Sequence, residues 1–155
     1  MLKLEYRLDG NIANLIVPPA SEPRRANKLW EHTCLEALIA MPRSSAYVEL
    51  NFSPSGEWAA HRFDDYRSAM AIEDDLSAAI ELHCEPRFLL LTATVDLSNK
   101  SAFANGAALR LALSAVIEES GGRMSYWALA HPAAKADFHH PKSFALMLNR
   151  EYGTV

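Results

Sequence analysis

Two carboxylates and one amide stand in stretches of the chain that are otherwise apolar. Glu36 lies within residues 33–39, and Glu49 and Asn51 lie within residues 47–53. On a β-strand alternate residues share a face, so Glu49 and Asn51 point to the same side of one strand. If the two strands are neighbours, both carboxylates and the amide converge on one surface. Because a buried carboxylate is costly without partners, this pattern predicts a local polar network.

Aromatic and cationic side chains elsewhere in the chain complete a set that suits a sugar. On a strand over 126–131, Trp127 and His131 share a face, and Arg62 or Arg67 offers a guanidinium. A pyranose ring stacks its C–H face on an indole, while its hydroxyls bond to carboxylate, amide and guanidinium groups. The alternative is structural, because aromatic residues on strands mostly belong to the core and either carboxylate can pair with an arginine.

A second constellation lies near the C-terminus, where His131, Asp137, His139 and His140 fall within ten residues. Imidazole and carboxylate are workable ligands for zinc or iron, which makes His131, Asp137 and His139 an alternative metal site. The spacing matches no helical His-x-x-x-His pattern, and adjacent histidines on a strand point to opposite faces. The competing interpretation is that these side chains make hydrogen bonds that shape a turn.

Arrangements for catalysis carry little support in the sequence. Glu36 and Glu49 are in principle a carboxylate pair of the kind that glycosidases use, and Ser53 or Cys34 with a histidine is in principle a nucleophile with its base. Neither arrangement has a recognisable signature, and Ser-Pro-Ser-Gly at 53–56 is typical of a hairpin turn. The sequence therefore favours binding without catalysis.

Composition and charge limit the classes of partner. Half of the 155 residues are hydrophobic and 22% are charged, as in a folded protein, and the length suits one domain over 1–155. The net charge is −4 and the basic residues are scattered, so no nucleic-acid partner is expected. Charged residues interrupt the N-terminus, and no run is long enough for a membrane span. With only Cys34 and Cys84 as thiols, a cytoplasmic protein with reduced cysteines is predicted.

Most apolar segments alternate with polar residues, which is typical of half-buried strands. Segment 106–119 is also interpreted as a strand, whereas 64–79 is interpreted as a short helix or a long loop with an acidic patch. Many short strands separated by proline and glycine breakers predict an all-β fold, a jelly-roll-type antiparallel β-sandwich. The other predicted strands lie in 2–8, 11–17, 29–40, 48–52, 57–63, 87–97, 123–130 and 143–149.

Three stretches taken together resemble the DOMON-like group, which is related to family-9 carbohydrate-binding modules. They are LWEHTCLEALI (29–39), YVELNFSPSGEWAAHRFDDYR (47–67) and YWALAHPAAKADFHHPKSFAL (126–146). The resemblance implies a jelly-roll β-sandwich, and the better-studied relatives bind sugars or haem without catalysing a reaction. It also implies that Trp30 and Trp127 lie near the mouth of the site. The group includes small bacterial proteins of this length.

One departure from the group affects the ligand. Secreted sugar-binding relatives carry acidic residues at the positions of Thr33 and Ala40 in this chain. The calcium or hydroxyl contact that those acids supply is therefore not carried over. The fold transfers from the resemblance more safely than the ligand does.

The predicted function is non-catalytic binding of a small polar ligand, with a carbohydrate or glycan fragment as the leading class. No cofactor is predicted, and haem and a divalent metal ion stay open. The alternatives are a metal-dependent enzyme that uses His131, Asp137 and His139, and a structural or partner-binding sandwich with an exposed apolar patch. The predicted ligand-binding residues are Trp30, Glu36, Glu49, Asn51, Arg62, Arg67, Trp127 and His131.

Overall fold

The computed structural model describes residues 1–103, 106 and 108–149, which form two antiparallel β-sheets. Four three-residue 3-10 turns cover Ile12–Asn14, Leu29–Glu31, Ser101–Phe103 and Pro141–Ser143. Within the described residues, no helix is long and apolar enough to cross a membrane. The strands are β1 (Leu2–Asp9), β2 (Cys34–Ala40), β3 (Tyr47–Phe52), β4 (Trp58–Phe63), β5 (Ala71–Ile72), β6 (Ser77–Glu85), β7 (Phe88–Asp96), β8 (Leu109–Glu118), β9 (Met124–Ala128) and β10 (Leu146–Leu148).

The small sheet has three strands in the order β1-β7-β6. Burial along β7 alternates, with Leu89, Leu91, Ala93 and Val95 buried and the residues between them partly exposed. This period of two arises because one face of the sheet packs on the core and the other faces water. β1 and β6 are the edge strands of this sheet, and most residues of β6 are exposed.

The large sheet has the order β10-β8-β2-β3-β4-β5, and β9 also pairs with β8. Its central strands β2 and β3 are buried along their whole length. Because side chains alternate along a strand, both faces of the large sheet must be covered at this point. We call the face that packs on the small sheet the inner face, and the opposite face the outer face.

The main core fills the space between the inner face and the small sheet. Leu35, Leu50 and Phe52 from the large sheet join one buried cluster with Leu89 and Leu91 from the small sheet, and each is at most 1% exposed. Burying a side chain of this size stabilises the fold by about 1.5–3 kcal/mol. This packing fixes which residues of β2 and β3 point inward, and therefore which residues point to the outer face.

The outer face carries a second, smaller apolar cluster. Phe138 and Phe144, from the segment that follows β9, pack against it. They shield part of the outer face from water, which explains why β2 is buried on both sides. The buried members of this cluster are Leu38, Ala40, Tyr47, Phe63 and Ala112.

The all-β antiparallel sandwich predicted from the sequence is confirmed. The strand predicted at 106–119 is present as β8. The hairpin turn at 53–56 is also confirmed, because Ser53 and Glu57 are hydrogen-bonded across it and Gly56 has a φ of 93°.

Two strand predictions are wrong at the local level, and one of two alternatives fails at a third place. Residues 11–17 contain a 3-10 turn and a single bridge from Leu15 to Glu119 instead of a strand. Residues 29–33 precede β2, with Lys28 in the left-handed region (φ 60°) at the start of a 3-10 turn. For 64–79 the short helix does not form, and the alternative of a long loop holds for most of the stretch, which is irregular apart from β5 and the start of β6. β6 itself was not predicted, since an exposed edge strand lacks the alternation of a half-buried one.

Candidate functional site

The polar residues of β2, β3 and β8 meet on the outer face because the antiparallel register places them opposite one another. Glu36 pairs with Asn51 on one side and with Ser114 on the other. Glu49 lies two residues before Asn51 on β3, opposite His61 of β4. The prediction that the strands of Glu36 and Glu49 are neighbours, and that their carboxyls share a surface with Asn51, is confirmed.

Hydrogen bonds join these side chains in buried pairs. Ser114 Oγ donates to Glu36 Oε2 at 3.1 Å, and Asn51 Nδ2 donates to Glu49 Oε1 at 2.7 Å. The Cys34 thiol contacts Asn51 Oδ1 at 3.7 Å. Asn51 is fully buried and Glu36 is only 4% exposed. We call Glu36, Glu49, Asn51, Ser114 and His139 the polar cluster.

Glu36 is a neutral acid at pH 7. Burial raises its pKa to about 8, and the negative charge of Glu49 adds to the rise. The hydrogen bond from Ser114 and the charge of Arg67 act in the opposite direction without cancelling it. A protonated carboxyl donates one hydrogen bond and accepts others, whereas a carboxylate only accepts. The protonated Glu36 side chain can therefore both donate a hydrogen bond to a hydroxyl and accept one from it.

His139 closes the polar cluster on the side of β3. Its Nδ1 lies 2.7 Å from the Tyr47 hydroxyl, and its Nε2 lies 3.5 Å from Glu49 Oε2. Burial lowers the pKa of His139, although the charge of Glu49 opposes that change. The imidazole is therefore neutral at pH 7, with one ring nitrogen that donates and one that accepts.

Arg67 joins the loop after β4 to the segment after β9. Its guanidinium donates to Asp137 Oδ1 at 2.9 Å, and the Tyr66 hydroxyl donates to Asp137 Oδ2 at 2.7 Å. Burial opposes ionisation of Asp137, but these two hydrogen bonds and the Arg67 charge outweigh it and lower the pKa of Asp137. Arg67 has a φ of 49°, and its backbone N–H donates to the Tyr47 hydroxyl at 3.2 Å. The Arg67 backbone is thus held in a left-handed, strained conformation beside the polar cluster.

Trp30 stands at the rim of the outer face. It belongs to the 3-10 turn Leu29–Glu31 and is 36% exposed. Its ring meets the His61 ring edge-on, with the centroids 5.9 Å apart. Because His61 is the cross-strand partner of Glu49, Trp30 lies beside the row of residues that carries the polar cluster.

Two of the predicted site residues point away from the polar cluster. Trp127 pairs with Ala115, which packs on the main core, so Trp127 belongs to the inner face. Arg62 pairs with Val48, another residue of the main core, and its guanidinium donates to a backbone carbonyl of β5 at 2.8 Å. The prediction that these side chains share a surface with Glu36 is wrong, because alternation puts them on the opposite side of the sheet.

The alternative metal site is not assembled. Asp137 is bonded to the loop after β4, and His139 is bonded to β3. His131 lies against the Phe138 ring, with the centroids 6.4 Å apart, and is not a member of the polar cluster. Throughout the described residues, no three His, Cys, Asp or Glu side chains are placed to hold a metal ion. The described structure therefore does not bring His131, Asp137 and His139 together as one ligand set.

A cleft of about 520 Å³ opens on the other side of the large sheet, between β1 and the β8–β9 pair. Its lining includes Tyr6, Leu113, Ile117 and Trp127, and Trp127 is 64% exposed. The Trp127 indole N–H donates to Ser125 at 3.1 Å. This mainly apolar cleft is separated from the polar cluster by the sheet itself.

Three residues of the site were not predicted from the sequence. Ser114 did carry a signal, because it is a hydroxyl on the same face as two buried apolar neighbours of β8, as Glu36 is in β2. Tyr47 has the pattern of a core residue, and it serves both as core and as the partner of His139. His61 has no local signal, since its place opposite Glu49 depends on the register of β3 and β4.

Comparison with known proteins bears on the fold. No protein-family model matches the chain, and no curated protein matches it. The crystal structure of a "putative carbohydrate-binding protein" from Bacteroides uniformis is similar to this chain, with a TM-score of 0.55 and 10% sequence identity. The match covers 90% of this chain and 67% of that chain. At this identity the similarity concerns the fold alone, and it agrees with the two-sheet sandwich.

Proposed function

We propose that this protein binds a neutral, polyhydroxylated ligand, a carbohydrate or glycan fragment, on the outer face of the large sheet and does not transform it. The observation that carries the proposal is the polar cluster. It gathers a protonated carboxyl, a carboxamide, a hydroxyl and a neutral imidazole on one face, each fixed by a hydrogen bond. Preorganised donors and acceptors of both kinds suit sugar hydroxyls, which donate and accept at the same atom.

Charge at the site favours a neutral ligand. Arg67 is the nearby cation, and it is held by Asp137. An anionic ligand would approach Glu49 and raise the free energy of both groups, since like charges in a buried site repel. A small cation would need ligands in a set that the described residues do not provide. A hydroxylated molecule satisfies the cluster without bringing a charge into it.

The fold similarity supports the same class of ligand. The Bacteroides uniformis protein is named for carbohydrate binding, and the three sequence stretches resemble the DOMON-like group, whose better-studied relatives bind sugars or haem. Binding without catalysis is proposed because the candidate nucleophile Ser53 is occupied in the turn. Its Oγ accepts from the Ser55 hydroxyl at 2.8 Å and from the Ser55 N–H at 3.1 Å. The proposal includes no cofactor.

The test is calorimetric titration with a panel of neutral sugars against the wild type, Glu36→Gln, Glu36→Leu and Trp127→Ala. Glu36→Gln keeps a neutral donor and acceptor and should change the affinity by less than about threefold. Glu36→Leu removes both, and the affinity should fall roughly 10-fold to 100-fold because a buried sugar hydroxyl loses its partner.

Trp127→Ala is the matched control, since Trp127 is an exposed tryptophan on the opposite face of the sheet. It should bind like the wild type. The proposal fails if no sugar of the panel binds the wild type. It also fails if Trp127→Ala abolishes binding while Glu36→Leu leaves it unchanged.

A further inference from the structure

His61 presents a buried polar atom that the fold does not satisfy. Its side chain is on the outer face, because His61 pairs with Glu49 of β3. The residue is only 6% exposed, yet Nδ1 has no hydrogen-bond partner among the described residues. Leaving such an atom unpaired costs about 1–3 kcal/mol, so an orphan of this kind in a folded protein calls for an explanation.

A recess of about 170 Å³ adjoins this imidazole. The walls are formed by Asn27, Ala59, His61 and Ile72, together with neighbouring residues of the segment before β2. Ala59 lines the recess and is the cross-strand partner of Asn51. The recess therefore begins directly beside the polar cluster. Its volume is several times that of a water molecule, about 30 Å³ in the liquid, and suits one small ring.

The recess has the chemistry of a site for a hydroxylated ring. A neutral imidazole nitrogen either donates or accepts according to its tautomer, and a hydroxyl can serve as the partner in both cases. The half-exposed Trp30 does not line the recess itself, but its ring meets the His61 ring edge-on, with the centroids 5.9 Å apart, so an indole contacts one wall of the recess. Indole rings pack well on the C–H face of a sugar, which is apolar. A sugar ring beside His61 would offer a hydroxyl to the His61 nitrogen and an apolar C–H face to the Trp30 indole.

We propose that His61 and Trp30 form a second subsite, for one sugar ring, next to the subsite formed by Glu36 and Asn51. Cross-strand partners on one face have their Cβ atoms about 4.5–5.5 Å apart, so His61 and Glu49 belong to adjoining surfaces. A ligand of two linked sugar units then contacts both subsites, and the protein prefers disaccharides to monosaccharides. This inference rests on the proposed function and adds the length of the ligand to it.

The experiment measures that preference. Calorimetry is run with matched pairs, namely glucose with cellobiose, xylose with xylobiose, and N-acetylglucosamine with chitobiose. The proteins are the wild type, His61→Phe, Trp30→Ala and Trp127→Ala. For the sugar pair whose members bind, the wild type should bind the disaccharide roughly 10-fold more tightly than the monosaccharide. A difference of this size is expected from one added hydrogen bond and one stacking contact.

His61→Phe keeps the ring contact with Trp30 but removes the nitrogen. Its ratio of disaccharide to monosaccharide affinity should fall to within about threefold of unity, while the monosaccharide affinity stays within about threefold of the wild type. Trp30→Ala, which alters a surface residue and is not expected to disturb folding, should lower the ratio in the same direction. Trp127→Ala should keep the wild-type ratio.

A direct reading comes from the ¹⁵N resonances of the His61 ring. In the wild type they should move when the disaccharide is added, and Nδ1 should report the new hydrogen bond. A full disaccharide preference in both His61→Phe and Trp30→Ala, or a His61 ring that does not respond, would overturn the subsite and leave the proposed function standing. If no sugar binds the wild type, the proposed function fails, and the subsite fails with it.

Discussion

Raising the pH from 6.5 to 8 should destabilise the protein, because it ionises a carboxyl that the fold holds neutral. Burial and the charge of Glu49 raise the pKa of Glu36 from 4.5 to about 8. Over this interval the folded state keeps a proton that the unfolded chain has already lost. The free energy of unfolding must then fall as the pH rises.

The size of the effect follows from the pKa. The free energy of unfolding falls by about 1.36 kcal/mol per pH unit well below the folded pKa and by half of that at the pKa, so the interval from 6.5 to 8 corresponds to about 1.6 kcal/mol. For a protein of this size that lowers the Tm by about 3–6 °C. The pH interval begins at 6.5 because of His139, whose pKa is lowered from its ordinary value of 6.5. Below this pH, the ionisation of His139 makes the free energy of unfolding rise with pH, which opposes the effect of Glu36.

The assay is urea denaturation of the wild type and Glu36→Gln at several pH values from 6.5 to 8. The Gln variant cannot ionise, so its free energy of unfolding should stay constant within about 0.5 kcal/mol over the same interval. A wild type as insensitive to pH as the variant would refute the assignment of a neutral buried Glu36. So would a variant that loses stability as steeply as the wild type.

Two further predictions concern the thiols and the loop contact. Cys34 is fully buried and burial raises its pKa, whereas Cys84 is exposed. A thiol reagent should therefore label Cys84 rapidly and Cys34 only on unfolding. Equal labelling rates for the two thiols in the native protein would contradict the burial of β2. Asp137→Asn weakens the contact with Arg67 and Tyr66 and should lower the free energy of unfolding at pH 7 by about 1 kcal/mol. The lowered pKa of Asp137 gives stability above its ordinary value of 3.8 that is lost as the pH falls, so the difference between variant and wild type should shrink at pH 3 in urea denaturation.

The sequence was sufficient to predict the sandwich and the centre of the polar cluster. Glu36, Glu49 and Asn51 are polar residues inside strands that are otherwise apolar, and their strands are neighbours, as expected. Such residues stand out because burial of an unpartnered carboxyl is unfavourable, so a partner nearby can be inferred without coordinates. The pattern of polar residues within apolar strands is therefore enough to predict that Glu36, Glu49 and Asn51 lie together.

The errors arose where the outcome depends on register. Moving a strand by one residue exchanges its faces, and the turn between β3 and β4 decides whether His61 or Arg62 lies opposite Glu49. The same holds for β9, where pairing with Ala115 sends Trp127 to the inner face. Residue types alone do not fix these registers. Consequently the sequence alone does not show that Arg62 and Trp127 lie on the face opposite Glu36, or that His61 lies on the same face as Glu36.

The histidine cluster illustrates a different limit. His131, Asp137 and His139 are close in sequence, but hydrogen bonds with distant parts of the chain draw two of them to separate partners. Asp137 binds Arg67 across a sequence separation of 70, and His139 binds Tyr47 across 92. Proximity in sequence is therefore a poor guide to a ligand set in a segment without regular structure.

The most direct test of ligand binding on the outer face is an NMR titration of the wild type with a sugar from the panel, observed at the tryptophan indole N–H signals. Trp30 reports the outer face and Trp127 reports the cleft on the inner face. The account predicts that the Trp30 signal shifts in a saturable manner, together with the side-chain amide of Asn51, while the Trp127 signal stays in place. A shift of Trp127 with Trp30 and Asn51 unchanged would contradict it and would place the ligand in the cleft.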